Sequence, residues 1–229
     1  MQLKDLECIK YDNKISKLFI QKHHYTGTCG NMKISYAFLY NGYIKSCITY
    51  SMPVGRSVIS SLWPSNGNTS NTLELTRMFS YDDMPKNMES YCISQSIKHL
   101  KIDLPNVELL VSYADTGAGH VGYIYQASNW IYTGHTGNEK KIFINGKREH
   151  RRTLYSRYGT SSIPKLKDLL GEDIEVYAGY KKYRYIYPIR KSKSQHKKLM
   201  NELVYKPQEY PKGDLKYYDK DNNTFNMCE

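Results

Sequence analysis

The sequence predicts an α/β protein in which one central mixed sheet is flanked by helices, and three of its features predict this. Two runs rich in β-branched and aromatic residues, Lys33 to Tyr40 and Tyr43 to Met52, are joined by Asn41-Gly42, a two-residue hairpin signal. Ile93, Ile97, Leu100 and Leu104 recur at helical spacing within Met88 to Leu104, until Pro105 closes the run. The chain then passes from an apolar strand at Glu108 to Tyr113, through a polar turn at Asp115 to Gly119, into a helical pattern over Gly119 to Ser128. It returns to strand at Trp130 to Thr133.

The remaining elements follow in chain order. Asn13 to Tyr25 places Ile15, Leu18, Phe19 and Ile20 on one face of a short helix with Asn13 as its cap, and His23 and His24 at its C-terminal end. Trp63 to Asn71 reads as a polar loop, and Leu73 to Tyr81 as a strand carrying Glu74 and Thr76. Seven cations (Lys140, Lys141, Lys147, Arg148, Arg151, Arg152 and Arg157) surround Ile142-Phe143-Ile144, which marks a basic insertion at about 138–165. Lys181 to Arg190 is the last expected strand. Beyond it, residues 191–229 form a charged C-terminal extension, with a helix around Gln195 to Tyr205 and then a loosely held tail.

A chain of 229 residues supports one sizeable core with additions. Its apolar runs fall short of the roughly 20 residues that a membrane helix needs, so no membrane partner is expected. The acidic start of the sequence lacks the apolar core of a secretion signal. Cys8, Cys29, Cys47, Cys92 and Cys228 are scattered and odd in number, which suits reduced, mostly buried thiols rather than a zinc or redox pair. Lys and Arg outnumber Asp and Glu by 33 to 22, a formal charge of +11 that favours a polyanionic partner. The 23 tyrosines offer flat faces for bases, although many are expected simply to fill sheet positions.

The order helix, hairpin, strand, helix, strand, helix, strand is similar to the plan of the GNAT acyltransferases. Three segments carry a narrower likeness: His24-Tyr25-Thr26-Gly27; Glu74-Leu75-Thr76-Arg77 with Asn87 to Ser90; and Ser112 to Trp130, SYADTGAGHVGYIYQASNW. Together they resemble the phage Mom family, which modifies adenine in phage DNA on a divergent GNAT fold. The resemblance runs from about Phe19 to Tyr187 and makes residues 1–190 the GNAT-like catalytic domain, basic insertion included.

It implies an enzyme that transfers an acyl- or glycine-derived group to the N6 amine of adenine, acting in the cytoplasm of an infected bacterial host and protecting the phage genome from restriction. An N-acyltransferase for a protein or small-molecule amine, and a non-catalytic DNA-binding protein, are the competing readings. Double-stranded DNA and a small acyl donor, either acyl-coenzyme A or an aminoacyl compound, are the implied partners.

The expected catalytic residues are Asp115, His24, Tyr125 and Arg77. Adenine's amine is a poor nucleophile because its lone pair is delocalised, so an acceptor on its N–H assists attack. Asp115, at the carboxyl end of a strand, suits that role, and equally it suits capping of the following turn. His24 is a proton-transfer candidate or a helix-end histidine. Arg77 either pairs with Glu74 or organises the site. Tyr125 corresponds to a functional tyrosine of the family and could protonate a leaving group or hold a carbonyl. Tyr25, Ser90, Ser112, His120 and Asn129 are the expected substrate contacts. Lys147, Arg148, Arg151 and Arg152 are expected to hold the DNA backbone. His24, Asp115, His120 and Tyr125 also offer ligands for a transition metal such as iron. Ordinary GNAT enzymes have a glycine-rich phosphate loop where this chain has Tyr81-Asp82-Asp83-Met84-Pro85-Lys86-Asn87, a departure that counts against ordinary acyl-coenzyme A.

Overall fold

The computed structural model describes residues 2–53, 56–137, 140–149, 151–189, 192–212, 218–219 and 224–225. The chain divides into two compact units: Met1–Ala114 with Val121–Gly134 and Tyr183–Lys212, and Asp115–His120 with His135–Lys182 and Gly213–Glu229.

The larger unit is built on a seven-stranded mixed sheet. Its strands are β1 (Glu7–Lys10), β2 (Ile34–Tyr40), β3 (Tyr43–Ser51), β4 (Thr72–Ser80), β5 (Leu109–Asp115), β6 (Ile131–His135) and, from the distal part of the chain, β10 (Lys182–Pro188). The order is β1-β2-β3-β4-β5-β10-β6. β1 to β4 pair antiparallel, whereas β4 and β5 are parallel. The β2–β3 turn is the expected Asn41-Gly42, at φ 50° and 79°, values that asparagine and glycine adopt most readily.

Helices cover both faces. α3 (Met88–Asp103) lies on the face carrying Tyr36, Tyr50, Leu73, Leu75 and Leu110, and the Tyr50 hydroxyl meets Ser96 on α3 at 2.8 Å. α1 (Asn13–His23) covers the other face around Ile20, Cys29 and Cys47. α2 (Arg56–Leu62) and α7 (Lys193–Glu202) cover Leu109, Val111 and Ile186 there. Leu110 faces one layer while Leu109 and Val111 face the other, which explains why β5 reads as an unbroken apolar run.

Four expectations change. The cap of α1 is Asp12, whose carboxylate accepts from the amides of Lys14 and Ile15 at 2.8 and 3.0 Å, one residue before Asn13. α2 arises in a segment with no helix signal strong enough to be read. The helix expected over Gly119 to Ser128 shrinks to α4 (Tyr123–Ala127), because Gly119 and Gly122 take φ of 72° and 92°. Gly122 also lies against Tyr185, where an added Cβ would come within 2.4 Å of the ring. The chain after α7 is held up to residue 211: Val204 N–H donates to the Leu62 carbonyl, Gln208 N–H to the Tyr132 carbonyl and the Tyr210 hydroxyl to the Trp130 carbonyl. The rest of the expected tail lies almost wholly outside the described residues.

The smaller unit has its own sheet, ordered β8-β7-β9, from β7 (Lys140–Ile144), β8 (Lys147–Glu149) and β9 (Ile174–Ala178). A second Asn-Gly turn, Asn145-Gly146 at φ 50° and 72°, joins β7 to β8. α5 (Arg151–Tyr158) and α6 (Ile163–Leu170) bury Leu154 and Leu166 against Ile142, Ile144 and Ile174. The basic insertion therefore has a core of its own.

Candidate active site

β4 and β5 pair over only three residues, Thr72–Glu74 against Leu109–Val111. Beyond them the two strands part, and side chains take over the backbone groups that a ladder would have satisfied. The Leu75 carbonyl accepts from the Ser112 hydroxyl at 2.8 Å, and Ser112 is also 2.7 Å from the hydroxyl of Tyr125 on α4. Ser112 has one proton. When it donates to Leu75, the Tyr125 O–H is the donor to Ser112.

Tyr125 is buried, with its ring 5.3 Å from Trp130 and 5.2 Å from Tyr185. Burial raises its pKa to about 12 against the hydrogen bond with Ser112; Tyr25 and Glu74 add to the rise and Arg77 opposes it. The hydroxyl is thus a neutral donor throughout the working pH range.

Arg77 reaches this part of the sheet through a local irregularity. Tyr50 pairs with Leu75 and Thr49 with Arg77, leaving Thr76 as an extra residue in β4. Such a bulge re-aims the side chains that follow it. Leu75 shares the α3 face with Tyr50, whereas Arg77 shares the α1 face with Thr49. There Arg77 donates from Nη1 to the Thr76 carbonyl at 2.6 Å and from Nε to the Thr28 carbonyl at 3.1 Å. Its partners are carbonyls rather than Glu74, and they tie β4 to the loop after α1.

That loop carries His24 and Tyr25. The Thr26 amide donates to His24 Nδ1 at 3.2 Å, which makes Nδ1 an acceptor and places the proton of the neutral ring on Nε2. The Thr26 hydroxyl lies 2.9 Å from the same nitrogen, and the Tyr25 ring packs on His24 with centroids 4.4 Å apart. His23 turns away into a separate aromatic cluster with Phe19, Phe79 and Tyr81. In the larger unit Ser112 thus meets Tyr125, whereas Arg77 on the α1 face binds Thr28 in the loop that carries His24 and Tyr25.

Asp115 ends β5, and with His120 it belongs to the short segment of the smaller unit. Its Oδ1 accepts from the Gly117 amide at 2.9 Å, so the expected cap is present, while Oδ2 has no partner among the described residues. The Thr116 hydroxyl fastens this turn to the Lys181 carbonyl at 2.6 Å. The His120 amide closes it by donating to the Asp115 carbonyl at 3.1 Å. Ser90 lies in the first turn of α3 and donates to the Asn87 carbonyl at 3.1 Å. Asn129 is exposed at φ 60°, ending α4 as asparagine often does.

The four expected phosphate contacts do not share a face. Arg148 pairs with Phe143 and Lys147 with Ile144, on opposite faces of the small sheet. Arg151 starts α5 and is exposed, and the side chain of Arg152 lies outside the described residues.

Among the described residues no three His, Cys, Asp or Glu side chains gather as a metal site would require. The four described cysteines, Cys8, Cys29, Cys47 and Cys92, are free, and burial raises Cys47 to about 12 and Cys8 likewise, which keeps both as unreactive thiols. At the start of α3, Asp82, Asp83 and Glu89 outnumber Lys86, a poor seat for a coenzyme A pyrophosphate. Sequence reading missed Thr26 and Thr28 as supports, and a carbonyl contact such as that of Thr28 leaves no residue-type signal. No described helix is long and apolar enough to cross a membrane.

The Mom protein family model matches residues 5–212. The chain is 33% identical over 143 residues to the methylcarbamoylase Mom of Escherichia phage Mu, an alignment covering 61% of this chain and 56% of that protein. Similar solved structures include the spermidine/spermine N-acetyltransferase SpeG of Vibrio cholerae, at 6% identity and TM-score 0.46 over 81% of this chain and 94% of that one. A GNAT family acetyltransferase of Elizabethkingia anophelis with acetyl-CoA bound is also similar, at 12% identity and TM-score 0.39 over 81% of this chain and 99% of that one. With a family match running through nearly all of its length, the chain belongs to the Mom protein family.

Proposed function

We propose that this protein modifies adenine in phage DNA, transferring a small acyl- or glycine-derived group to the N6 amine in the host cytoplasm and so blocking restriction. The observation that carries the reading is the Ser112–Tyr125 pair at the point where β4 and β5 part, in the segment that also supplies Asp115. Tyr125 offers a protonated phenol as a donor, and Asp115 offers a carboxylate whose Oδ2 has no hydrogen-bond partner among the described residues.

In the proposed reaction the N6 nitrogen attacks the carbonyl carbon of an activated donor. A C–N bond forms, the bond to the leaving group breaks, and the amine proton passes to Asp115, with His24 as the alternative acceptor. On substrate binding the Tyr125 O–H turns from Ser112 to donate to the oxygen or leaving group that gains charge, while Ser112 keeps its bond to the Leu75 carbonyl. Arg77 acts by holding the loop that carries His24 and Tyr25. Adenine's amine lies inside the stack of duplex DNA, so the base is extruded before reaction.

The test is mass spectrometry of nucleosides from DNA of cells expressing the wild-type gene or Asp115→Asn. A modified adenosine is expected with the first and none with the second. Unmodified DNA in both, with acylation of an added polyamine or peptide amine, would assign the protein to the other N-acyltransferase class.

A further inference from the structure

The small sheet has two unlike faces. α5 and α6 cover the face of Ile142 and Ile144. The register sets Lys141 beside Tyr177, and Phe143 beside Arg148 and Glu175, so these five side chains share the opposite face. No side chain of the unit's apolar core cluster belongs to that face. Phe143 and Tyr177 meet edge to face with centroids 5.4 Å apart, and just past β9 the Lys141 ammonium lies 5.1 Å from the ring of Tyr180. Tyr177 and Tyr180 are 52% and 53% exposed, so both rings present a face to solvent. The Tyr177 hydroxyl donates to Glu175, which leaves two cations against one carboxylate on the face.

Tyr180 also reaches the Asp115 turn, which belongs to the same unit. Its ring lies on Gly117, two residues after Asp115, and a Cβ at Gly117 would come 2.4 Å from the ring. The glycine is therefore required by the aromatic ring, and the exposed rings lead toward the Asp115 turn.

We infer that Phe143, Tyr177 and Tyr180, with Lys141 and Arg148, form a stacking platform for unpaired bases of the DNA strand that carries the reactive adenine. The inference rests on the DNA-modification reading. A flat aromatic face meets bases only where their own faces are uncovered, and duplex bases hide theirs in the stack. The flanking cations suit the phosphates of the same strand. Opening the helix to extrude an adenine creates such unpaired positions, so platform and reaction require the same distortion.

The test is fluorescence anisotropy of the full-length protein with a labelled single-stranded oligonucleotide, its abasic counterpart and the matching duplex, across a salt series. The intact single strand is expected to bind more tightly than the abasic one. Tyr177→Ala and Tyr180→Ala should each weaken single-strand binding about tenfold with the salt slope unchanged, and Tyr177→Phe should restore it. Thermal melting shows that each variant is folded. Equal affinity for intact and abasic strands, or undiminished binding by both alanine variants, overturns the platform. Loss of a dimer in sedimentation by Tyr177→Ala, without loss of DNA binding, overturns it in favour of a second copy of the chain. If cells yield no modified adenosine while the stacking effects persist, the modification reading fails and the platform stands.

Discussion

Tyr125→Phe separates chemistry from folding at the candidate active site. The substitution removes one oxygen and keeps the ring contacts with Trp130 and Tyr185. Ser112 still donates to the Leu75 carbonyl, so the loss is a single hydrogen bond, about 1 kcal/mol. For a chain of this size that corresponds to a fall in Tm of about 2–4 °C. If the phenol donates to the reacting oxygen or leaving group, modification should fall about 10²–10⁴-fold. Ser112→Ala gives the opposite balance. It strands both the Leu75 carbonyl and the Tyr125 hydroxyl, at roughly 2 kcal/mol or more, yet leaves the phenol in place. Melting curves and quantified modified adenosine, measured on all three proteins, decide the matter. A Tyr125→Phe enzyme within a factor of three of wild type, with the small melting shift, would refute a chemical role for the hydroxyl.

Other perturbations are equally specific. Asp115→Asn preserves an acceptor for the Gly117 amide and should melt near wild type while modification disappears, whereas Asp115→Ala should lose about 1 kcal/mol of cap in addition, visible by calorimetry. Changing Arg148, Arg151 and Arg152 together to Glu should weaken duplex binding and flatten its salt dependence; an unchanged slope in a salt titration would place the phosphate contacts elsewhere. With 2-aminopurine at the target position, fluorescence should rise on binding, and a constant signal at a modifiable site would exclude base extrusion. Tyr113, Tyr125 and Tyr185 are each raised to about 12 by burial. A raised folded pKa contributes stability that is complete below the unfolded value near 10 and is lost as pH climbs through 12. Melting temperature should therefore drop steeply between pH 10 and 12, and phenolate absorbance should appear together with unfolding rather than before it.

The central sheet was legible because its signals are local. Asn41-Gly42 specifies a two-residue turn through its tolerance of positive φ, and the spacing of Ile93, Ile97 and Leu100 specifies the buried stripe of α3. Asn145-Gly146 carries the same local hairpin signal within the basic insertion. The motif from Ser112 to Trp130 likewise identified the segment that holds the Ser112–Tyr125 pair, since its residues lie close in sequence.

What the tertiary structure decided depends on partners far apart in the chain. Arg77 reaches the loop of Thr28 because one extra residue in β4 turns it to the α1 face, and nothing in Glu74-Leu75-Thr76-Arg77 announces a bulge. Gly122 halts the helix before Tyr123 because Tyr185 occupies the space of a Cβ, and Gly117 is needed because Tyr180 does the same. The chain after α7 is fixed by Leu62, Trp130 and Tyr132, residues remote from it in sequence. Composition and periodicity determine which residues prefer turn, strand or helix and which prefer burial. Which backbone group, ring or carbonyl each one meets is set only when distant segments pack, because that outcome minimises unsatisfied polar groups and empty space over the whole core at once.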